Sequence, residues 1–152
     1  EYAREKVGTV ADFGCGPGIP GAVMAMADNS NRYTLFDSNE KKIGFLRHCL
    51  SKTEIMGASD VKAYKIRLTP ESRIDQVDRL VTRAAGEMKD VIGLWKGKVR
   101  KGGVADFFKG EDAKEEIEAL VEIYPAVRYQ IMDTPSWFGK LQIIRITNVF
   151  DQ

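Results

Sequence analysis

Asp12-Phe13-Gly14-Cys15-Gly16-Pro17-Gly18 is the stretch that decides the fold of this chain. It follows an apolar run at 7–11, and a segment of helical character begins at Ile19. The order is therefore a strand, a glycine-rich turn and a helix. Glycines at alternate positions let the backbone turn tightly and approach a ligand closely. The helix behind them presents free N–H groups and the positive end of its dipole. We therefore predict a ligand-binding loop.

Two carboxylates at the ends of successive strands narrow the choice of ligand. Asp12 closes the first strand, and Asp37 closes the next apolar run. In loops that bind S-adenosylmethionine, the first acidic residue faces the cationic amino-acid part of the cofactor. A carboxylate at the second position can accept hydrogen bonds from both ribose hydroxyls. S-adenosylmethionine is thus the predicted cofactor, and the predicted contacts are Asp12, Gly14, Gly16, Gly18 and Asp37.

A nicotinamide or flavin dinucleotide is the main alternative ligand, because Gly16-Pro17-Gly18-Ile19-Pro20-Gly21 fits the G-x-G-x-x-G pattern. Against it, Asp12 would place a negative charge beside a pyrophosphate, which is electrostatically unfavourable. Asp37 also follows Gly21 by only sixteen residues, fewer than the usual ~20. A turn that binds nothing is the other alternative, and two carboxylates with three alternating glycines disfavour it. The sequence favours S-adenosylmethionine.

The composition is that of an ordinary globular protein. The chain has 152 residues, of which 43% are hydrophobic and 30% charged, and we predict one domain over 1–152 that is cytoplasmic and monomeric. No apolar run approaches the ~20 residues of a membrane span. Cys15, Cys49 and the single histidine, His48, are too few for a disulfide framework or a metal site, so neither is expected.

Charge is unevenly distributed although the formal net charge is only +1. Residues 62–109 contain twelve Lys and Arg against six Asp and Glu, whereas 111–122 contain six acids and one Lys. This pattern fits either a solvated surface with one acidic helix or a basic face suited to a phosphate backbone.

Strand and helix patterns alternate along the chain and predict the fold class. Strands are predicted at about 7–13, 32–37, 60–66, 77–82, 104–109, 127–132 and 141–147. Helices are predicted at about 19–27 and from 38 or 39 to Gly57. A third helix is predicted at 87–99, followed by a turn at Gly102-Gly103. A fourth is predicted at 112–124, with a buried stripe of Ile117, Leu120, Val121 and Tyr124. We therefore predict an α/β fold, with a doubly wound, mostly parallel, Rossmann-like sheet closed by an antiparallel C-terminal hairpin. Class I methyltransferases have this fold, and ligands bind at the carboxyl ends of its strands.

The residues at the strand ends limit which class of atom can accept the methyl group. Exocyclic amino groups of bases are usually held by Asn/Asp-Pro-Pro-Tyr/Phe after the fourth strand, where this chain has Thr82-Arg83-Ala84-Ala85. Pyrimidine C5 methylation needs a cysteine nucleophile, but Cys15 lies in the glycine-rich turn and Cys49 on the second helix. Metal-assisted oxygen methylation needs a carboxylate cluster, and none is evident. A ring nitrogen such as guanine N7 has a free lone pair and needs only positioning, which agrees with Arg83 and Lys109 at two strand ends.

The same residues resemble a known family, the RsmG (GidB) methyltransferases of small-subunit ribosomal RNA. The segment from Asp12 to Gly21 is similar to that family's D-x-G-[ST]-G-x-G-x-P-G loop. Further similar segments are Leu35-Phe36-Asp37-Ser38 with Lys41-Lys42 and Phe45-Leu46-Arg47, Thr82-Arg83-Ala84 (S-R-A in the family) and Phe107-Phe108-Lys109-Gly110 (A-L-K-G). The order and spacing hold from Val7 to Gly110.

The resemblance implies methylation of guanine N7 in 16S ribosomal RNA, with S-adenosylmethionine as cofactor and ribosomal RNA or the small ribosomal subunit as partner. Arg83 and Lys109 would be the catalytic pair, which positions the base or its phosphates. The implied cofactor contacts are Asp12, Gly14, Gly16, Gly18, Asp37, Ser38, Arg67 and Leu68 (the last two near the adenine), with Arg83 also close to the cofactor.

The chain departs from the family pattern at a few positions. Cys15 replaces a small hydroxyl residue, Thr82 replaces Ser, and Gly139-Lys140 stands where the family has Arg-His. The acid that follows Arg67 in the family is delayed to Glu71. The family's helical N-terminal segment is expected to be missing, through truncation or divergence. The alternatives are a methyltransferase for a small molecule or a protein, and a non-catalytic cofactor-binding module.

Overall fold

A computed structural model gives the architecture of residues 2, 5–28, 30–52, 60–110, 113–135 and 140–151. The elements in chain order are β1 (Thr9–Phe13), α1 (Gly21–Ala27), β2 (Arg32–Asp37), α2 (Glu40–Lys52), β3 (Val61–Lys65), β4 (Val77–Arg83), α3 (Met88–Trp95), β5 (Val99–Lys109), α4 (Ala113–Ile123), β6 (Arg128–Asp133) and β7 (Gln142–Thr147). Among these residues, no helix is long and apolar enough to cross a membrane.

Within the described residues, seven strands form one sheet in the order β3-β2-β1-β4-β5-β7-β6. The strands β1 to β5 are parallel, whereas β7 runs antiparallel to both β5 and β6. The predicted doubly wound sheet with an antiparallel C-terminal hairpin is confirmed. The strand order reverses between β1 and β4, and ligands of such sheets bind outside the carboxyl ends of the strands at this point.

Each face of the sheet is covered by its own apolar core. Leu80 of β4 and Phe107 of β5 belong to the core that includes residues of α3 and α4, where Trp95 is fully buried. Val81, the next residue of β4, belongs to the other core, which includes Ile43 of α2 and residues of α1. This alternation follows from the two-residue period of a strand, and it fixes which side chains reach the carboxyl edge.

The predicted boundary between the third helix and the fifth strand was wrong. The helix was predicted to continue to 99, but α3 ends at Trp95 and β5 already begins at Val99. Gly102 and Gly103 therefore lie inside the strand. The pairing between β4 and β5 is irregular there, because Val77 pairs with Val99 whereas Arg79 pairs with Val104. Glycines inside a strand often mark such an irregularity in its pairing. In the sequence, the same two glycines had suggested a turn.

Glycine is needed within β5 for reasons of space and backbone conformation. A Cβ on Gly103 would lie 2.5 Å from Val99 Cγ1 and 2.8 Å from the carbonyl oxygen of Asp78. Gly102 has a φ of 76°, which only glycine adopts at little cost.

Three smaller predictions differ from the structure or lie outside it. Val121 was predicted to be buried with Ile117 and Leu120, but it is exposed, and Tyr124 is only half-buried. The predicted helix stop at Gly57 and the hairpin loop at 136–139 lie outside the described residues. The helix α4 thus presents a narrower apolar stripe than its sequence suggested.

A buried cluster of charged groups spans the face of β4, β5 and β7. The carboxylate of Asp106 accepts hydrogen bonds from Arg79 Nε (2.8 Å), Arg145 Nε (2.8 Å) and the hydroxyl of Tyr2 (2.8 Å). Both arginines also donate to Glu5. The side chains of Arg79 and Asp106 are fully buried. Segments more than 100 residues apart in sequence are therefore joined at one carboxylate.

Candidate functional site

The glycine-rich turn, residues 14–20 (hereafter the glycine loop), is fixed against the end of β2. The N–H groups of Gly14 and Cys15 both donate to the carbonyl oxygen of Phe36, at 2.8 and 3.0 Å. Gly14, Gly16 and Gly18 have φ angles of 70°, 54° and 108°, a region that other residues adopt only with strain. A Cβ on Gly16 would have no described atom within 4 Å. The loop therefore leaves open space above Gly16 at the switch point of the sheet.

Asp12 and Gly21 join the end of β1 to the start of α1. The N–H group of Gly21 donates to Asp12 Oδ2 at 2.7 Å. A Cβ on Gly21 would lie 2.6 Å from both Asp12 Cβ and Leu35 Cδ2. Glycine at position 21 is thus needed for close packing of the helix on the sheet. This close packing accounts for the glycine of the Pro20-Gly21 pair that ends the loop.

The other carboxylate oxygen of Asp12, Oδ1, is buried and has no hydrogen-bond partner within the described part of the chain. Desolvation by burial is the largest influence on this carboxyl and raises its pKa from 3.8 to about 7. The hydrogen bond from Gly21 and the positive charge of Arg83 oppose that rise, and the negative charge of Asp37 adds to it. A cationic group bound beside Oδ1 would stabilise the ionised form.

The stability of the protein should fall with rising pH because of Asp12. In the unfolded chain this carboxyl ionises near its ordinary pKa of 3.8, whereas in the folded protein it ionises near 7. The unfolded state therefore releases its proton first, and the free energy of unfolding declines between pH 4 and 7 by up to about 1.4 kcal/mol per pH unit. Urea unfolding of the wild type and Asp12→Asn across this range measures the contribution. Equal pH slopes for the two proteins would contradict the assignment.

Asp37 is held at the end of β2 by two backbone groups. Its Oδ2 accepts from the N–H of Gly16 at 2.9 Å, and its Oδ1 accepts from the N–H of Asn39 at 2.8 Å. The carboxylate therefore connects the glycine loop to the residue that precedes α2, a link that no local sequence pattern indicates. Each carboxylate oxygen can accept a further hydrogen bond. Ser38, the next residue, is exposed.

The segment after β3 reaches the same edge of the sheet. The N–H of Ile66 donates to the carbonyl oxygen of Asp37 at 3.0 Å, which brings this segment beside β2. Arg67 is exposed, whereas Leu68 is buried in the core that includes Phe36 and Trp95. The adenine contacts predicted for Arg67 and Leu68 stay a prediction.

Arg83 ends β4 and faces solvent beside the glycine loop. Its charge acts on the carboxyl of Asp12, so the two side chains share one electrostatic environment. Glu87, the acid one helical turn after Arg83, pairs with Lys89 at 2.9 Å. The next residues, 84–87 (hereafter the β4–α3 loop), include Ala84 at a φ of 56° and Gly86 at 133°.

Lys109, the last residue of β5, lies behind the β4–α3 loop. Its ammonium group donates to the carbonyl oxygen of Gly86 at 2.9 Å and to Glu116 Oε1 at 2.9 Å. The other oxygen, Glu116 Oε2, accepts from the N–H of Met88 at 2.8 Å. Glu116 was not predicted, because its partners lie 7 and 28 residues away in the chain and no local pattern marks such a contact.

The basic segment at 62–109 is less of a free cationic surface than its composition suggested. Arg79 and Lys98 are buried. Of the others, Lys65, Lys89, Arg100 and Lys109 form ion pairs with carboxylates. These pairs reduce the positive charge that could meet a phosphate backbone, although six basic residues of the segment remain exposed without an ion pair among the described residues: Lys62, Arg67, Arg73, Arg83, Lys96 and Lys101.

Comparison with known proteins yields one family and one fold. A family model described as GidB, rRNA small subunit methyltransferase G, matches residues 1–137. A relative from Thermotoga neapolitana, named ribosomal RNA small subunit methyltransferase G, is 32% identical over 132 residues, which cover 82% of this chain and 57% of that protein. The chain spans about half the length of the curated relatives it matches.

Solved structures of methyltransferases have the same fold. A precorrin-6y C5,15-methyltransferase from Geobacter metallireducens superimposes with a TM-score of 0.67 at 18% identity, and the match covers 95% of this chain and 82% of the other. The S-adenosylmethionine-dependent methyltransferase SibL, in its apo form, gives a TM-score of 0.72 at 15% identity over 93% of this chain and 50% of that one.

Proposed function

The chain belongs to the family of rRNA small subunit methyltransferase G, and from this premise we propose that it transfers a methyl group from S-adenosylmethionine to ribosomal RNA of the small subunit. The observation that carries the proposal is the buried Oδ1 of Asp12, which has no hydrogen-bond partner among the residues that the structure describes. A buried carboxylate oxygen without a partner is costly, and the cationic amino group of this cofactor would satisfy it.

The remaining cofactor contacts follow from the geometry of the carboxyl edge. Asp37, oriented by Gly16 and Asn39, would accept hydrogen bonds from the two ribose hydroxyls. The open space at Gly16 allows the close approach of a bound ligand. Ser38, Arg67 and Leu68, which follow β2 and β3, would border the adenine. When bound, S-adenosylmethionine supplies a methyl group on a positively charged sulfur, and these residues hold and orient it.

On the acceptor side we propose guanine N7 of 16S ribosomal RNA as the methylated atom. This nitrogen carries a lone pair and no proton, so the reaction needs alignment of the acceptor and no general base. Arg83 fits the positioning role because its guanidinium is exposed beside the glycine loop and can donate to base or phosphate oxygens. We further propose that residues 1–152 form one domain, and that the protein is monomeric and cytoplasmic.

Binding measurements on the wild type and on Asp37→Ala test whether the ligand is S-adenosylmethionine and whether Asp37 holds its ribose. We expect micromolar binding of S-adenosylmethionine and S-adenosylhomocysteine and no binding of NAD. Asp37→Ala should weaken the two methyl-donor ligands by about 1–3 kcal/mol, because charge-assisted hydrogen bonds to the ribose are lost. Isothermal calorimetry measures these affinities.

The matched control for Asp37→Ala is Glu40→Ala. Glu40 lies three residues after Asp37, and its exposed carboxylate pairs with Lys65. The control should bind like the wild type. Equal affinity for NAD, or no heat with either methyl-donor ligand, would refute the assignment of the cofactor. Labelled methyl incorporation into small-subunit RNA, small metabolites and protein fractions, assayed separately, tests the acceptor.

A further inference from the structure

We propose that Lys109 and Glu116 act as a clamp that positions the β4–α3 loop, so that Lys109 supports the reaction without touching the acceptor. The inference rests on the proposed function, because the loop begins directly after Arg83. It assigns a role to Glu116 and changes the role of Lys109 from direct contact to positioning.

The clamp joins three elements through one carboxylate. Glu116 of α4 accepts a hydrogen bond from Lys109 of β5 at Oε1 (2.9 Å) and one from the N–H of Met88 at Oε2 (2.8 Å), and the Lys109 ammonium lies 2.8 Å from Oε2 in the same ion pair. Met88 is the first residue of α3, and its preceding residue, Glu87, provides no side-chain cap. Glu116 therefore takes the capping role that a residue at the helix start usually has.

The β4–α3 loop needs such support because its backbone is unfavourable by itself. Ala84 has a φ of 56°, which costs energy for a residue with a Cβ. Lys109 holds the far end of the loop through the carbonyl oxygen of Gly86. The side chains of Lys109 and Glu116 are only 13% and 21% exposed, so solvent competes weakly for these bonds.

The loop also contacts the glycine loop directly. A Cβ on Gly14 would lie 2.8 Å from Ala85 Cβ, so the two loops pack against each other at this point. A displacement of the β4–α3 loop would therefore move Arg83 relative to the cofactor site. Methyl transfer depends on in-line alignment, and small misplacements lower its rate strongly.

Steady-state kinetics of Lys109→Met, Glu116→Gln and the double variant test the clamp. We expect each single variant to lower kcat for small-subunit RNA by about tenfold, with the dissociation constant of S-adenosylhomocysteine within about twofold of wild type. The double variant should be no slower than the singles, because both remove the same unit. Lys109→Arg, which retains a donor cation, should restore most of the rate.

The control is Lys114→Met on the outer face of α4, where Lys114 and Glu118 form an exposed pair at 4.0 Å; it should leave kcat unchanged. A second measurement is independent of activity: hydrogen exchange of the Met88 amide should accelerate in Glu116→Leu, which has no acceptor oxygen, and remain slow in Lys114→Met. This measurement tests the clamp even if wild-type protein fails to methylate RNA, an outcome that refutes the proposed function alone.

Two results would overturn the clamp. Unchanged kcat in Glu116→Gln together with a large loss in Lys109→Met would mean that Lys109 contacts the acceptor directly. Unchanged exchange at Met88 in Glu116→Leu would mean that the cap does not hold the helix start. Glu116→Gln and Glu116→Leu are both close to glutamate in volume, so a folded protein is expected for both measurements.

Discussion

Replacement of Arg83 by alanine is expected to lower the rate of methyl transfer to small-subunit RNA by about 100-fold or more, while S-adenosylmethionine still binds nearly normally. Arg83 ends β4 beside the glycine loop, and its side chain is exposed. Glu87, the nearby acid in the sequence that could have formed an ion pair with Arg83, is paired with Lys89. Loss of the guanidinium removes a positioning group for the acceptor and leaves the glycine loop intact.

The experiment combines turnover, cofactor affinity and a thermal melt. The control is Arg32→Ala, which removes an exposed arginine at the opposite, amino-terminal end of β2, where it pairs with Asp60. If Arg83 has only a structural role, its alanine variant will lose stability and retain turnover in proportion to the folded protein. If Arg83 contacts a phosphate, the salt dependence of RNA binding should be smaller in the alanine variant than in the wild type by about one ion.

Replacement of Asp106 by alanine is expected to destabilise the protein by about 3–5 kcal/mol. Its carboxylate accepts from Arg79, Arg145 and Tyr2. The Arg79 side chain is fully buried, so without Asp106 a buried cation loses its main partner. Removal of one member of a buried ion pair costs far more than removal of an exposed one.

Chemical denaturation with matched variants measures this effect. Asp60→Ala removes the exposed partner of Arg32 and should change the free energy of unfolding by at most about 1 kcal/mol. Arg79→Met together with Asp106→Leu should recover much of the loss, since no buried charge is then left unpaired. A loss below about 1 kcal/mol for Asp106→Ala would show that solvent or other groups compensate the arginines.

The sequence was most informative where local patterns set the structure. The strand β2 has the predicted bounds, 32–37, because a short apolar run ends at a carboxylate. The glycine loop was predicted because positive φ angles demand glycine at successive alternate positions. The sheet topology followed from the alternation of elements, and the antiparallel hairpin from two final strands with no helix between them.

Features that depend on contacts distant in the chain could not be predicted. Gly102 and Gly103 suggested a turn. In the structure, however, Val99 and the partner strand leave no room for a Cβ at Gly103. The bond between Glu116 and Met88 has no signature in either segment. The ion pairs of the basic segment were also invisible, because composition counts charges without their partners. The conformation of the glycine loop was therefore predicted better than the contacts that support the β4–α3 loop.

The contact between Gly14 and Ala85 limits how this scaffold can be redesigned. A loop transplanted from another methyltransferase to change the acceptor is compatible with this scaffold only if position 14 stays glycine, because a Cβ there would lie 2.8 Å from Ala85 Cβ. A side chain at position 14 would push the two loops apart and distort the binding of the methyl donor. New acceptor specificities are therefore more accessible through substitution of the exposed Arg83 than through exchange of the whole β4–α3 loop.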